Sequence, residues 1–269
     1  MWRIILKERI SGEIKVLKNR FIFSGIIFGV IMQFLHNVAH NYVYFLAGRY
    51  GVYGGPSAQL VDLGFKALQP SIAHLSFLPS NGCLYALALV CLATLLSPLR
   101  KSSAYFVQII WRALLVCSIT IILRCVSFLL TILPSPAPQC EKALFDPPSS
   151  TVEIFFKFDT ENGCSDLIFS SHMMYGLLAT CVVVHYVDRY QSLLAALCLS
   201  LNIAEGFCIV AQERHYSIDV WASFYAVPLT WIAFLHFLPN DPPPGGNLLK
   251  IKPAPPTAAF GENNIINHV

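Results

Sequence analysis

Two histidines draw attention because each sits where an apolar run meets a polar one. His215 lies in Glu213-Arg214-His215-Tyr216-Ser217-Ile218-Asp219, four residues before Asp219. That interval is about one helical turn, so on a helix both side chains share a face. A carboxylate beside an imidazole fixes its tautomer and stabilises its cationic form. His172 closes the run Cys164-Ser165-Asp166-Leu167-Ile168-Phe169-Ser170-Ser171-His172. A histidine backed by Asp219 and a second histidine beside it supply a nucleophile or base and a general acid. The bland alternative is a helix-start ion pair at His215 and two unrelated interfacial histidines.

The elements that must position these groups are apolar. Of 269 residues, 55% are hydrophobic and only 12% charged, against about 25% charged in ordinary soluble domains. Mean hydropathy is +0.59. These values exclude a disordered regulator and disfavour a soluble enzyme. The net charge of +3 forms no basic stripe, so no nucleic-acid partner is expected. Apolar segments fall at about 21–47, 80–99, 104–133, 167–187, 190–211 and 217–238. The expected fold is all-α, a polytopic membrane protein with six transmembrane helices. The expected organisation is a basic cytosolic N-terminus over 1–20, a six-helix membrane catalytic domain over 21–239, and a disordered cytosolic tail over 240–269. No internal repeat is visible.

Arg3, Lys7, Arg9, Lys15, Lys18 and Arg20 are opposed only by Glu8 and Glu13 at the start of the chain. Residues 21–47 contain no Asp, Glu, Lys or Arg. They are too long for a signal-peptide core and read as a retained first span. Lys/Arg placement puts both termini in the cytosol, with Arg100-Lys101 and Arg189 in the cytosolic connections. His172 and His215 then fall on the same, non-cytosolic face. Cys140 and Cys164 share the long polar loop 134–166 on that face, where an oxidising lumen permits a disulfide whose geometry the sequence leaves open. No Cys/His spacing of the zinc type occurs, and neither metal nor cofactor is expected.

On these motifs the chain resembles the sphingomyelin synthase family of the type-2 phosphatidic acid phosphatase-like superfamily. The family pattern C-G-D-x-x-x-S-G-H is matched by Cys164-Ser165-Asp166 and Ser170-Ser171-His172, and H-Y-[ST]-x-D by His215-Tyr216-Ser217-Ile218-Asp219. Arg124 through Cys140, and Asp62-Leu63-Gly64-Phe65, resemble the plant and trypanosomatid inositol phosphorylceramide synthase branch. Ser165 and Ser171 stand where the family pattern has glycine. If position 165 needs positive φ, serine strains the loop.

The resemblance implies transfer of a phospho-headgroup from a glycerophospholipid donor to ceramide, releasing diacylglycerol. The headgroup is phosphoinositol, phosphocholine or phosphoethanolamine. His172, His215 and Asp219 are the implied catalytic residues: His215 attacks phosphorus, Asp219 orients it, and His172 handles the proton. Asp166 is a candidate to orient His172 or receive the ceramide hydroxyl, or is a turn residue. Glu153 resembles an acidic position in the trypanosomatid members. A buried Arg124 suits a lipid phosphate or a pairing with Glu205, and Arg214 suits the phosphoryl oxygens. Arg112 is expected to snorkel or pair. His36 and His40 read as a packed polar face or a headgroup contact. The implied location is the Golgi membrane, with the plasma membrane as alternative. Membrane lipids are further partners, and a homo-oligomer is left open.

Two other readings compete. A lipid phosphate phosphatase or phospholipase C-type hydrolase would use water as acceptor. Against it, Phe169-Ser170-Ser171-His172 replaces the phosphatase PSGH, and Ile209 stands where its arginine would precede His215. A non-catalytic lipid-binding membrane protein is the third reading, supported only by Ser165.

Overall fold

The computed structural model describes residues 2–68, 80–158 and 164–242. Among these the chain is helical, with no strand beyond an isolated bridge between Arg100 and Val187. In order run α1 (Trp2–Leu17), α2 (Arg20–Tyr50), α3 (Ser80–Leu96), α4 (Phe106–Leu130), a 3₁₀ turn at Pro138–Cys140, α5 (Thr151–Phe156), α6 (Ser171–Tyr186), α7 (Gln191–Ala211) and α8 (Ser217–Phe237).

Helices occupy all six apolar segments. Four of them, α2, α4, α7 and α8, are long and apolar enough to cross a membrane. α3 has 17 residues and α6 has 16, short of the roughly 20 that span a bilayer untilted. The shortfall in α6 has a local cause. The apolar run opens at Leu167, but Phe169 adopts φ 83° and breaks the backbone before Ser170 can start the helix. Apolar side chains facing outward, such as Leu197, Phe207, Trp221 and Leu229, are those a lipid environment would cover. The protein is an integral membrane protein.

α6 packs against α3, α4, α7 and α8, while α2 lies along α4. The core is built from Ile109, Val116 and Ile121 of α4, Met173, Met174 and Leu177 of α6, and Val220, Val227 and Trp231 of α8. Local signals fix the ends. The Asn19 side chain accepts the Phe21 N–H, and Gly51 closes α2 in the left-handed conformation at φ 70°. The basic N-terminal segment folds as α1. Its Glu13 carboxylate accepts the Phe106 and Val107 amides at 2.8 and 3.0 Å and so caps α4.

At the far end of the bundle Arg112 is wholly buried and paired, not snorkelling. Its Nε donates to Asp241 Oδ1 at 2.9 Å, Nη2 lies 2.8 Å from the same oxygen as an ion pair, and the Tyr186 hydroxyl donates to that oxygen too. The segment following α8 is thereby held as far as Pro242. The expected disorder of the tail concerns residues 243–269, outside the described residues.

The loops at the opposite end knit into a cap. Cys140 and Cys164 form a disulfide. Gly54 donates its N–H to the Cys140 carbonyl at 2.8 Å, and a Cβ at residue 54 would overlap the Ser135 carbonyl. Asn41 of α2 donates to the Ile154 and Lys157 carbonyls at 2.9 and 2.8 Å and docks α5.

Candidate active site

A cavity of about 540 Å³ lies at this capped end. α6 and α8 both begin here, and α2 and α3 wall it. His172, Arg214 and His215 line it together with Gln33, His36, Asn37, His40, Asn81, Asp166 and Tyr175. The two histidines singled out from sequence therefore share one space.

His215 is not helical. It lies in a bend between α7 and α8, and the helix begins at Ser217. The reading of a shared helical face is corrected accordingly. His215 Nδ1 still lies 3.4 Å from Asp219 Oδ2, because Tyr216 is extended and folds the chain back. The same Asp219 oxygen accepts the Tyr216 N–H at 3.2 Å. Asp219 sits in the first turn of α8, where the helix dipole favours a negative charge. Its other oxygen, Oδ1, is buried without a hydrogen-bond partner.

His172 occupies the first turn of α6. Its Nε2 lies 2.9 Å from Asn81 Oδ1 on α3. Nothing in the sequence singled out Asn81. It stands beside Ser80 at the mouth of an apolar run, and no spacing rule connects it to a helix 91 residues away.

Asp166 does not reach His172 by a hydrogen bond. Its Oδ2 is held by Arg124 Nη2 and, at 3.1 Å, by His40 Nδ1. Arg124 Nη2 also donates to the Asp166 carbonyl at 2.8 Å, and Nε donates to His36 Nε2 at 3.1 Å. Burial pushes the Asp166 carboxyl up, but His40 and Arg124 outweigh it and hold the group far below the usual carboxylate range. Asp166 is thus a buried anion at the cavity wall.

Arg124 is fully buried and stands behind that wall, bonded to Asp166 and not to Glu205. Its Nη1 has no hydrogen-bond partner. Glu205 is buried apart from the cavity lining. Glu153 lies outside the lining too. Its carboxylate accepts the Ser149 N–H at 2.7 Å and caps α5. Of the seven candidates, His172, His215, Asp166 and Arg214 line the cavity, Asp219 and Arg124 stand directly behind it, and Glu153 is elsewhere.

The strain feared at Ser165 is absent. Among the described residues, positive φ in non-glycine residues occurs at Phe169, Tyr190 and Glu213. Serine is therefore conformationally admissible at 165, where it is buried. The strained residue is Phe169, three before His172, a bulky side chain held in a region that costs about 1–3 kcal/mol.

Comparisons with known proteins agree with the motifs. The family model "PAP2 superfamily C-terminal" matches residues 163–237, a stretch holding His172, His215 and Asp219. The rice "Phosphatidylinositol:ceramide inositolphosphotransferase" (Oryza sativa subsp. indica) is 29% identical over 255 residues, covering 90% of this chain and 73% of that protein. Its Arabidopsis thaliana counterpart, inositolphosphotransferase 3, is 25% identical over 240 residues, covering 85% and 78%. The chicken (Gallus gallus) "Phosphatidylcholine:ceramide cholinephosphotransferase 1" is 26% identical over 113 residues, covering 38% and 27%. With the paired histidine motifs placed in one cavity, these similarities support the resemblance to the sphingomyelin synthase family of the PAP2-like superfamily, and the relatives named here are ceramide phosphotransferases.

Proposed function

We propose that this protein is a sphingolipid synthase that moves a phospho-headgroup from a glycerophospholipid to the primary hydroxyl of ceramide. The observation that carries the proposal is the meeting of His172 and His215 in one cavity, with Asp219 on the far nitrogen of His215.

In the first step His215 Nε2 attacks phosphorus and the bond to the diacylglycerol oxygen breaks. The Nδ1 proton points to Asp219, which stabilises the cationic ring as the phosphorus–nitrogen bond forms. His172 donates its proton to the departing alkoxide, so diacylglycerol leaves neutral. In the second step His172 takes the proton of the ceramide hydroxyl. The ceramide oxygen attacks phosphorus, the phosphorus–nitrogen bond breaks, and His215 is restored. Arg214 offsets the charge on the phosphoryl oxygens. Arg124 and His40 fix Asp166 at the wall.

Phosphoinositol is the headgroup we favour. Gln33, Asn37, Asn81 and Tyr175 supply neutral hydrogen-bonding groups suited to a polyhydroxylated ring. Asp166, the carboxylate of the lining, is already engaged by Arg124 and His40 and is poorly placed to hold choline. The relatives that span most of this chain carry inositolphosphotransferase in their names.

We further propose that α3 and α6 cross the membrane with the four longer helices, giving six spans. The cavity then faces the lumen, with both termini in the cytosol and the Golgi as the compartment. The basic short connections favour this orientation, and a disulfide beside the site suits an oxidising compartment.

The test uses purified protein in detergent with fluorescent ceramide, offered phosphatidylinositol, phosphatidylcholine and phosphatidylethanolamine separately. Formation of inositol phosphorylceramide by wild type and not by His172→Ala is expected. Release of headgroup to water without a sphingolipid product would make the protein a hydrolase.

A further inference from the structure

Asp62 lies in the loop after α2, far from His215 in sequence and outside the cavity lining. Its Oδ2 accepts the Ser217 N–H at 2.7 Å, and its Oδ1 accepts the Ser217 hydroxyl at 2.7 Å. The same Oδ1 accepts the Gly64 and Phe65 amides at 2.7 and 3.3 Å. Burial pushes this carboxyl up, yet the Ser217 hydroxyl and amide and the amides of Gly64 and Phe65, in the helical turn over 63–68, pull it below its ordinary value. A Cβ at residue 64 would overlap Ser217 Oγ, so glycine is what lets the loop come this close.

Ser217 is the first residue of α8. Its N–H is one of the four that a helix cannot satisfy internally. Here the cap comes from another loop. Tyr216 is tied down in the same layer. Its hydroxyl accepts the Leu60 N–H at 3.0 Å and donates to the Pro134 carbonyl at 2.8 Å.

From this geometry we infer that Asp62 is a positioning residue for the His215–Asp219 pair, acting through Ser217; the inference rests on the roles proposed above for those two groups. His215 precedes the helix, so no helical hydrogen bond sets its distance to Asp219. Two anchors do. The Tyr216 N–H on Asp219 fixes the fold-back from within, and Asp62 on Ser217 fixes where the helix starts. Releasing Asp62 removes the anchor on Ser217, one of the three residues that join the nucleophile to its carboxylate. Misplacement on the order of 1 Å at a reacting centre costs about 100-fold in rate.

The test measures kcat and KM for Asp62→Ala, Asp62→Asn, Ser217→Ala and the Asp62→Ala/Ser217→Ala pair, with melting temperatures and His215→Ala in parallel. Asp62→Ala is expected to lower kcat about 30- to 100-fold with the donor KM within about twofold. Ser217→Ala keeps the amide bond to Asp62 and should lose about threefold. The double variant should be no worse than Asp62→Ala, because both act through one contact. Asn at 62 keeps either the local turn or the Ser217 contacts, so its loss should be intermediate. If Asp62→Ala does not fold, the kcat of Ser217→Ala and Asp62→Asn decides. Unchanged kcat per folded molecule, a change confined to KM, or additive losses overturn the inference. Full activity in His215→Ala would instead overturn the functional reading beneath it.

Discussion

Asn81 Oδ1 lies 2.9 Å from His172 Nε2, joining the start of α3 to the start of α6 across the cavity. This contact ties one ring nitrogen of the proposed general acid and so bears on which nitrogen meets substrate. Asn81→Ala should lower transfer by about 10- to 100-fold, a part of the roughly 100- to 10,000-fold that a positioned acid–base group contributes. Asn81→Gln should recover little, because a longer side chain displaces the ring. Initial rates with matched amounts of folded protein check this. Wild-type rates in Asn81→Ala would confine the contact to packing.

Asp166 makes a different demand. Its folded-state pKa lies below the unfolded value, so its ionisation stabilises the protein above about pH 4. That contribution is lost only as pH falls through the folded value. Between about pH 5 and 8 the group stays charged, and inflections of kcat there should survive its replacement. Asp166→Asn leaves Arg124 buried against a neutral partner and should cost roughly 3–5 kcal/mol. Thermal unfolding in detergent measures it. A loss below about 1 kcal/mol would mean that the Arg124–Asp166 pair does not anchor this wall.

The Cys140–Cys164 disulfide closes 24 residues of separation and ends two residues before Asp166. The loop-closure estimate for such a length is about 3 to 4 kcal/mol. Cys164→Ser should therefore lower the melting temperature and the transfer rate, and a reducing agent should mimic it on wild type only. The seven other cysteines are free, so a reductant effect that persists in Cys164→Ser would point away from this bond.

Ser165 provides a test in the opposite direction. Since position 165 does not require positive φ, Ser165→Gly should leave transfer within about twofold of wild type. Phe169 is where the backbone is strained, and Phe169→Ala should reduce activity by loosening both the turn and its core contacts. A large gain in Ser165→Gly would show that serine does impair the site.

Short-range patterns are what the sequence makes legible. Apolar runs mark the six long apolar helices, and the two histidine motifs mark the cavity end, since both sit at the ends of those runs. The rest depends on contacts between distant segments. Asn81 is an ordinary helix-end residue until the fold brings it against His172, and Asp62, legible only as part of a resembling loop motif, gains its partner Ser217 only in the fold. In the sequence Arg124 suits a phosphate or Glu205, but in the fold it bonds His36 and Asp166, the latter 42 residues on. His36 and His40 looked like a polar face, and that face is the cavity wall. Glu153 is a candidate by resemblance alone; it sits in the first turn of α5, behind the N-cap Ser150, and its carboxylate accepts the Ser149 N–H. The i, i+4 spacing of His215 and Asp219 gave the right pair for an incomplete reason, because the helix begins between them.

The most direct measurement asks whether His215 carries the headgroup. Purified protein is incubated with phosphatidylinositol labelled in the phosphate, without ceramide, then denatured and mapped. Label bound to His215, discharged on adding ceramide and absent in His215→Ala, is the expected result. Turnover with ceramide but no labelled protein at any time, or label retained in His215→Ala, contradicts the covalent mechanism.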